Sequence, residues 1–372
     1  MVFFLLIIIV LLIIVIIKPL FKKKFQKVKT IKYNNILDLK ESLTKAALEM
    51  LYSTKSFMSF YEEDNLYTDL AKLKTKLKGD KKFQDYTYYN FPKAFLMIGI
   101  LDLSSHEDFY EDVDKILKEK YVDSSGNLKF LFDKIDQSLF GVVFIKMFDL
   151  TKNNIYRIAA DRIYQEIQNF KNEKDIYLYR KNSDVLFIDT LGMIVPFLTE
   201  YSKISNNILI QKEAHDQLSY YIKLTTCNNE FPCHAFDLNN NLKLGSNNWS
   251  RGIAWLMIGV AYAGKNNVDL KDTFDQYYSK LLDLRIDNYW PQFFSHSDDN
   301  SIDASATLML YYSASVMGID VKKELNIALK NSIDTGFFVE NNSGDTIYIN
   351  KYSKIKGRSE VSQGLLLSII SN

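Results

Sequence analysis

Three places in the chain set polar, chemistry-bearing side chains within apolar helical sequence. Asp136 stands in Phe132-Asp133-Lys134-Ile135-Asp136-Gln137-Ser138-Leu139-Phe140-Gly141, directly ahead of an apolar helix. Asp189 interrupts Asp184-Val185-Leu186-Phe187-Ile188-Asp189-Thr190-Leu191. A carboxyl with such neighbours is partly desolvated, which raises its pKa and lets it hold a proton near neutral pH. The third place pairs His234-Ala235-Phe236-Asp237 with Trp249-Ser250-Arg251-Gly252-Ile253-Ala254-Trp255. It brings together an imidazole, a carboxylate, a guanidinium and two indoles. Rings beside carboxylates and arginine suit a carbohydrate: the rings cover the apolar sugar face and the charged groups bind hydroxyls and carboxylates.

Residue type and spacing alone leave plainer readings open, and taken singly each position favours them. Asp136 and Asp189 fit helix N-caps. Trp249 and Trp255 fit core residues, Arg251 a surface fork, and His234 with Asp237 a solvated loop pair. Cys227, Cys233, His234 and Asp237 lie close in sequence, but their spacing is not that of a structural zinc site. Nucleotide-binding glycine loops, HExxH and Gly-x-Ser-x-Gly are all missing from the sequence. Lys+Arg 46 against Asp+Glu 45 leaves no bulk electrostatic case for nucleic acid. Two Cys exclude a disulfide framework, and neither has an assigned role.

The elements that must carry these residues read as helices almost throughout. Only 5 Pro and 14 Gly in 372 residues leave few turn-formers for a many-stranded sandwich, while 25 Phe and 24 Tyr supply a large core. Ile36, Leu39, Leu43, Ala47 and Met50 share one face at the helical period. Similar segments are expected near 64–77, 91–102, 108–119, 135–149, 154–170, 186–202, 207–223, 250–263, 268–284, 303–317, 321–333 and 360–370. Minor β-like stretches fall near Phe337 to Val339 and Thr346 to Ile349. So many amphipathic helices with short links, and no repeat signature, suggest helical hairpins packed in a ring or stack.

The start of the chain differs from the rest. Val2 to Ile17 contains no polar residue, and Lys18, Lys22, Lys23, Lys24, Lys27 and Lys29 follow it. As helix the run reaches about 24 Å, and continuation to Phe21 with a snorkelling Lys18 brings it close to the ~30 Å of the hydrocarbon layer. A cleaved signal peptide would carry its positive charge ahead of the apolar run and a small-residue site behind it. The expectation is a transmembrane anchor over 1–21, a basic linker over 22–34 and one catalytic domain over 35–372. The lysines place that domain on the cytoplasmic side.

The order and context of the motifs resemble the unsaturated glucuronyl and rhamnogalacturonyl hydrolases, glycoside hydrolase families 88 and 105. Asp136 with Gly141 and the stretch through Phe148-Asp149-Leu150-Thr151 to Tyr156 looks like that family's Asp-x-x-x-x-Gly helix and closing turn. Phe187-Ile188-Asp189-Thr190-Leu191-Gly192-Met193, followed by Pro196-Phe197-Leu198, is similar to its Trp-x-Asp-x-Leu-x-Met-x-x-Pro-Phe-Leu motif. His234 to Asp237 resembles the His-Ala/Gly-Trp-Asp loop, and Trp249 to Trp255 resembles Trp-Gly-Arg-x-x-Gly-Trp. Asp303-Ala304-Ser305-Ala306-Thr307 and Gln363-Gly364-Leu365-Leu366-Leu367 sit where the family has further motifs.

The resemblance implies an all-α fold, the (α/α)6 barrel or six-hairpin toroid. It implies hydration of the enol ether in a terminal 4,5-unsaturated uronic acid, with loss of the aglycone. Asp189 then matches the acid/base carboxyl and Asp136 the second carboxylate. His234, Asp237 and Arg251 would bind substrate oxygens, and Trp249 and Trp255 would line the pocket. An oligosaccharide or polysaccharide fragment is the implied partner, with no metal and no organic cofactor. Phe187 and Phe236 replace family tryptophans, Ser250 and Ala254 replace glycines, and Asp303 replaces Glu. These departures leave the sugar open. Two other readings fit the same barrel: a conventional glycosidase or epimerase, and a catalytically silent, membrane-tethered glycan-binding protein.

Overall fold

The computed structural model describes residues 29–53, 88–104, 109–226, 230–294, 302–353 and 356–371. Within them a one-turn 3-10 helix, Ile36–Leu39, leads into α1, Lys40–Tyr52. Helices α2 (Phe91–Leu103), α3 (Tyr110–Ile116), α4 (Leu139–Thr151), α5 (Asn154–Gln168), α6 (Asp189–Ser205) and α7 (Ile208–Thr225) follow. Then come α8 (Ser250–Gly264), α9 (Val268–Leu282), α10 (Ala304–Val316), α11 (Lys322–Ala328) and α12 (Glu360–Ser371).

Two kinds of helix alternate, and their sequences say why. The even-numbered helices are apolar on nearly every face. In α8, only Tyr262 of Ser250–Gly264 escapes full burial. A helix of that kind must be enclosed by others. The odd-numbered helices are one-sided: α5 buries Tyr156, Ala159, Ala160, Ile163 and Ile167, a stripe at the helical period. Each even helix packs on the next, α2 on α4, α4 on α6 and so on to α12, and α12 closes the ring on α2. Helices α5, α7 and α9 each back the inner helix that precedes them, while α1 covers the seam between α12 and α2. Among the described residues the architecture is therefore an inner ring of six helices with an outer layer around it, the six-hairpin helical barrel.

The closing seam is tight for identifiable reasons. Gly99 of α2 faces Gly364 of α12 so closely that a Cβ on Gly99 would lie 2.0 Å from the Gly364 carbonyl oxygen. Two glycines are what let these backbones meet. Lys93 and Glu360, both buried, pair at 2.6 Å across the same seam, and Lys93 Nζ also donates to the Met50 carbonyl at 2.7 Å. Gln363 donates to the Leu43 carbonyl and accepts from the Val339 N–H, tying α12 to α1 and to the segment before the ribbon described below.

Short strands decorate one mouth of the ring. β1 (Val185–Phe187), β2 (Ala235–Asp237) and β3 (Leu242–Leu244) form an antiparallel sheet in which Val185 opposes Asp237 and Phe187 opposes Ala235. A nested ribbon follows α11. Its outer pair is β4 (Asn342–Ser343) with β7 (Lys356–Gly357), and its inner pair is β5 (Thr346–Tyr348) with β6 (Lys351–Tyr352).

Most expected helices are present within a few residues of their expected limits. Leu186 and Phe187 differ, being strand where a helix was expected. The apolar run is short enough to suit either state, and its ladder to Ala235–Asp237 decides it. The helix expected over 321–333 stops at Ala328. Of the two β-like stretches, Thr346–Tyr348 is a strand, whereas Val339 makes only an isolated bridge to Ile333. The helix expected near 64–77 lies outside the described residues, as do the apolar run Val2 to Ile17 and Cys227. Among the described residues no helix is long and apolar enough to cross a membrane.

Candidate active site

The N-terminal turns of the inner helices bring the candidate residues to one mouth. Asp136 and Ser138 belong to a 3-10 turn, Ile135–Ser138, that runs into α4. Asp189 is the first residue of α6, Trp249 holds the N-cap position of α8, and Arg251 lies in the first turn of that helix. The β1–β2 ladder sets the remaining partner, because the Ile188 N–H donates to the His234 carbonyl at 3.0 Å. Residues 46 positions apart in sequence are thereby held side by side.

Neither acid is an N-cap. Asp189 lies inside α6, whose N-cap is Ile188, and its side chain makes no capping bond. Its Oδ2 is 3.4 Å from His234 Nε2, while Oδ1 is buried without a hydrogen-bond partner. Asp136 is 3 % exposed; Tyr179 donates to its Oδ2 at 3.3 Å, and its Oδ1 is likewise buried and unpartnered. Burial pushes the Asp136 carboxyl up to about 6, against the pull of Lys134 and Tyr179 and with the help of the Asp133 and Asp345 charges. A carboxyl displaced so far holds its proton across much of the mildly acidic range.

Arg251 is buried and already engaged. Its terminal nitrogens donate to the Ser343 carbonyl at 2.7 Å, the Gly344 carbonyl at 2.8 Å and Asp345 Oδ1 at 3.1 Å, while Nε is buried and unpartnered. It therefore clamps the link between β4 and β5 over the mouth. Trp249 packs on His234 and Tyr352 with ring centroids 4.7 and 5.2 Å away, and Trp255 packs on Phe91 and Phe95. A cleft of about 350 Å³, open space included, is lined by Phe91, Arg251, Trp255, Ser305, Asp345 and Ser359 among others.

The structure therefore brings together Asp136, Asp189, His234, Arg251, Trp249 and Trp255. Asp237 goes elsewhere. Its carboxylate accepts from the Asn239 and Asn240 N–H groups and from the Asn240 side chain, closing the β2–β3 turn at the surface. Those bonds hold it below the usual carboxylate range. Asp303 is the N-cap of α10, accepting from the Ser305 and Ala306 N–H groups and from the Ser305 and Ser343 hydroxyls. Burial pushes it up, but Lys356, Arg251 and those hydroxyls more than offset this and hold it low. Cys233 is buried and its thiol donates to the Ala235 carbonyl. Among the described residues no group of His, Cys, Asp and Glu is placed to hold a metal ion.

Three members of the site have no motif of their own in the sequence reading. Asp345 lies on the link between β4 and β5, where burial pushes its carboxyl up, Arg251 pulls it back and the Asp189 charge adds to the rise. Ser343-Gly344-Asp345-Thr346 reads as an ordinary turn and carries no other signal. Tyr179 and Tyr352 are two of 24 tyrosines, and only the fold distinguishes them.

The model of Glycosyl Hydrolase Family 88 matches residues 65–331. No curated sequence shows significant similarity to the chain. Among solved structures, a possible member of family GH105 from Salmonella enterica serovar Paratyphi A superposes with a TM-score of 0.72 at 14% identity, covering 94% of this chain and 97% of that one. A family 105 glycoside hydrolase from C. acetobutylicum gives 0.64 at 17% identity over 82% of this chain and 98% of its own. The unsaturated glucuronyl hydrolase from Bacillus sp. GL1 gives 0.62 at 16% identity over 89% and 96%. At these identities the structures speak for the shared barrel, and the family match, which spans well over half of the sequence, assigns the lineage. The chain belongs to glycosyl hydrolase family 88 and is a glycoside hydrolase.

Proposed function

We propose that the chain removes a terminal 4,5-unsaturated uronic acid from carbohydrate fragments by hydrating its enol ether. The observation that carries this reading is the pair of carboxyls, buried Asp136 and half-buried Asp189, each with one buried oxygen left without a protein partner at the mouth. Buried polar atoms are rarely left unpaired unless a ligand or water takes them up. Asp189 protonates C4, and the π pair of the C4–C5 double bond forms the new C–H bond. Water adds at C5 and returns a proton to Asp189, and the resulting hemiketal opens with departure of the aglycone. Asp136, which burial keeps protonated below about pH 6, hydrogen-bonds a sugar oxygen through that proton.

An anionic sugar would be repelled by three ionised carboxylates. Burial lifts both Asp136 and Asp345 towards neutrality, and Arg251 with the positive ends of the inner helices supplies the opposite sign. Trp255 lines the cleft as an apolar wall, while Trp249 is packed against His234 and Tyr352 and backs the imidazole. Related structures include an unsaturated glucuronyl hydrolase responsible for glycosaminoglycan degradation and another specific for heparin. Unsaturated uronyl disaccharides incubated with the full chain should lose their enol-ether ultraviolet absorbance. An inert wild type across disaccharides of varied linkage and aglycone overturns the proposal.

The apolar run Val2 to Ile17 and its lysines support a membrane-held enzyme with the barrel on the cytoplasmic side. The full chain should then sediment with membranes through salt and alkaline washes. Recovery in the soluble fraction would refute that location.

A further inference from the structure

His234 is bound to the protein at both ends of its ring. Nδ1 lies 3.1 Å from the Ile349 carbonyl oxygen, at the turn between β5 and β6, and Nε2 lies 3.4 Å from Asp189 Oδ2. A carbonyl oxygen only accepts, so Nδ1 carries a hydrogen. A neutral imidazole of that tautomer presents a lone pair on Nε2, and an ionised Asp189 presents lone pairs on Oδ2. Two facing acceptors repel. The contact becomes a hydrogen bond only when one further proton lies between them, on the nitrogen or on the oxygen.

We propose that His234 and Asp189 share one proton as a pair, and that His234 is the positioning residue that orients the Asp189 carboxyl. With both ring nitrogens committed to the protein, His234 has none left for a sugar hydroxyl. This inference rests on the hydrolase reading only for its consequence in turnover; the pair itself does not depend on the substrate.

The surroundings are built for this contact. Gly245, at φ +76°, packs against His234 and its tether: a Cβ there would lie 2.7 Å from His234 Cβ and 3.0 Å from the Ile349 carbonyl oxygen. Phe187, Trp249 and Tyr352 enclose the imidazole, with ring centroids 5.6, 4.7 and 6.2 Å away. The titratable and charged groups that face the pair are Arg251 from α8, Asp345 and Tyr352 from the ribbon, and the neighbouring Cys233. Burial works against a charged imidazole here, and Asp189 outweighs it, so His234 is held above the usual histidine range. Asp189 Oδ2 is thus turned to His234, which leaves Oδ1 for the reacting sugar.

The test uses the full chain with nitrogen-15-labelled histidine, the His234 signal being assigned by its loss in His234→Gln. In the wild type the Nε2 shift should report a proton shared with an acceptor. In Asp189→Asn the His234 midpoint should fall by about one pH unit or more, since an opposite charge at this range supports such a shift. An unchanged His234 titration in Asp189→Asn overturns the pair, whether or not any substrate is turned over. Kinetics supply the second arm. His234→Phe should lower kcat about a hundredfold with KM changed less than about threefold, whereas His234→Gln, which keeps a donor towards Asp189, should recover about tenfold of that loss. Both variants should lose the pH-rate limb of the pair. A raised KM with unaltered kcat and pH profile would make His234 a sugar ligand and refute the proposal. A wild type inert on unsaturated uronides but with the coupled titration intact would sink the hydrolase reading and leave the pair standing.

Discussion

Asp189→Asn is expected to lower kcat about a thousandfold on unsaturated uronyl disaccharides while leaving KM within a few-fold of wild type. The substitution keeps the shape of the side chain at the head of α6, so the β1–β2 ladder and the helix start are undisturbed. What it removes is the capacity to give a proton to C4 and to take one back from water. Concerted acid/base assistance by a placed carboxyl contributes about 10²–10⁴ in rate, and one residue serving as acid and then base stands at the upper end of that range. The other site groups still hold the sugar, which is why binding survives. The measurement is enol-ether absorbance against time at several substrate concentrations. A variant that keeps more than about a tenth of wild-type kcat would remove Asp189 from the chemistry.

Asp136→Asn is expected to separate activity from stability. In the folded chain burial pushes the Asp136 carboxyl from an ordinary 3.8 up to about 6. The sign follows from linkage. A group with a raised folded-state pKa contributes most favourably when protonated in both states, below the unfolded value, and that contribution is lost as pH rises through the folded value. The window here runs from about 3.8 to about 6, and above it the fold carries an ionised, buried carboxylate. A displacement of about two units corresponds to about 3 kcal/mol. An asparagine never ionises, so the variant should be more stable than wild type by about 1–3 kcal/mol at pH 8. The difference should close as the pH is lowered towards 4.

Activity should move the other way. The asparagine should cost about a hundredfold in kcat/KM, because an amide N–H is a weaker donor to a sugar oxygen than a carboxylic O–H. The wild-type kcat/KM profile should fall as pH rises through about 6, and the variant should lack that limb. Thermal melts and pH-rate profiles of both proteins check the two halves. A variant less stable than wild type at pH 8 would contradict the burial argument.

Legibility in the sequence followed the distance over which each feature is decided. The inner helices were readable because Phe91–Leu103 or Ser250–Gly264 are long apolar stretches that only an enclosed helix explains. The start of α6 was not, because a partner strand about fifty residues later decides whether Leu186 and Phe187 are strand or helix. Asp136, Asp189, His234, Arg251 and both tryptophans come from four separate stretches and lie at one mouth. Asp237 has the same residue type and a similar context but faces a turn, since a short side chain next to Asn239 and Asn240 satisfies the local backbone first. Asp345 and Ile349 had no signal at all. One is a turn residue and the other acts through its carbonyl, and both reach the site only because the ribbon folds back over the mouth.

That ribbon has a consequence for the life history of the enzyme. Asp136 and Asp189 are synthesised long before Asp345 and Ile349, and the ribbon is followed by α12, whose Gly364 must seat against Gly99 to shut the ring. Contacts spanning such sequence distances form late and slowly. The clasp on Arg251 and the tether on His234 are therefore among the last interactions to appear. A chain that has made its inner helices but has not docked its final hairpin holds both acids without the clasp on Arg251 and with His234 untethered. Turnover thus reads out completion of folding, and recovery of activity after dilution from denaturant should lag behind recovery of helix content.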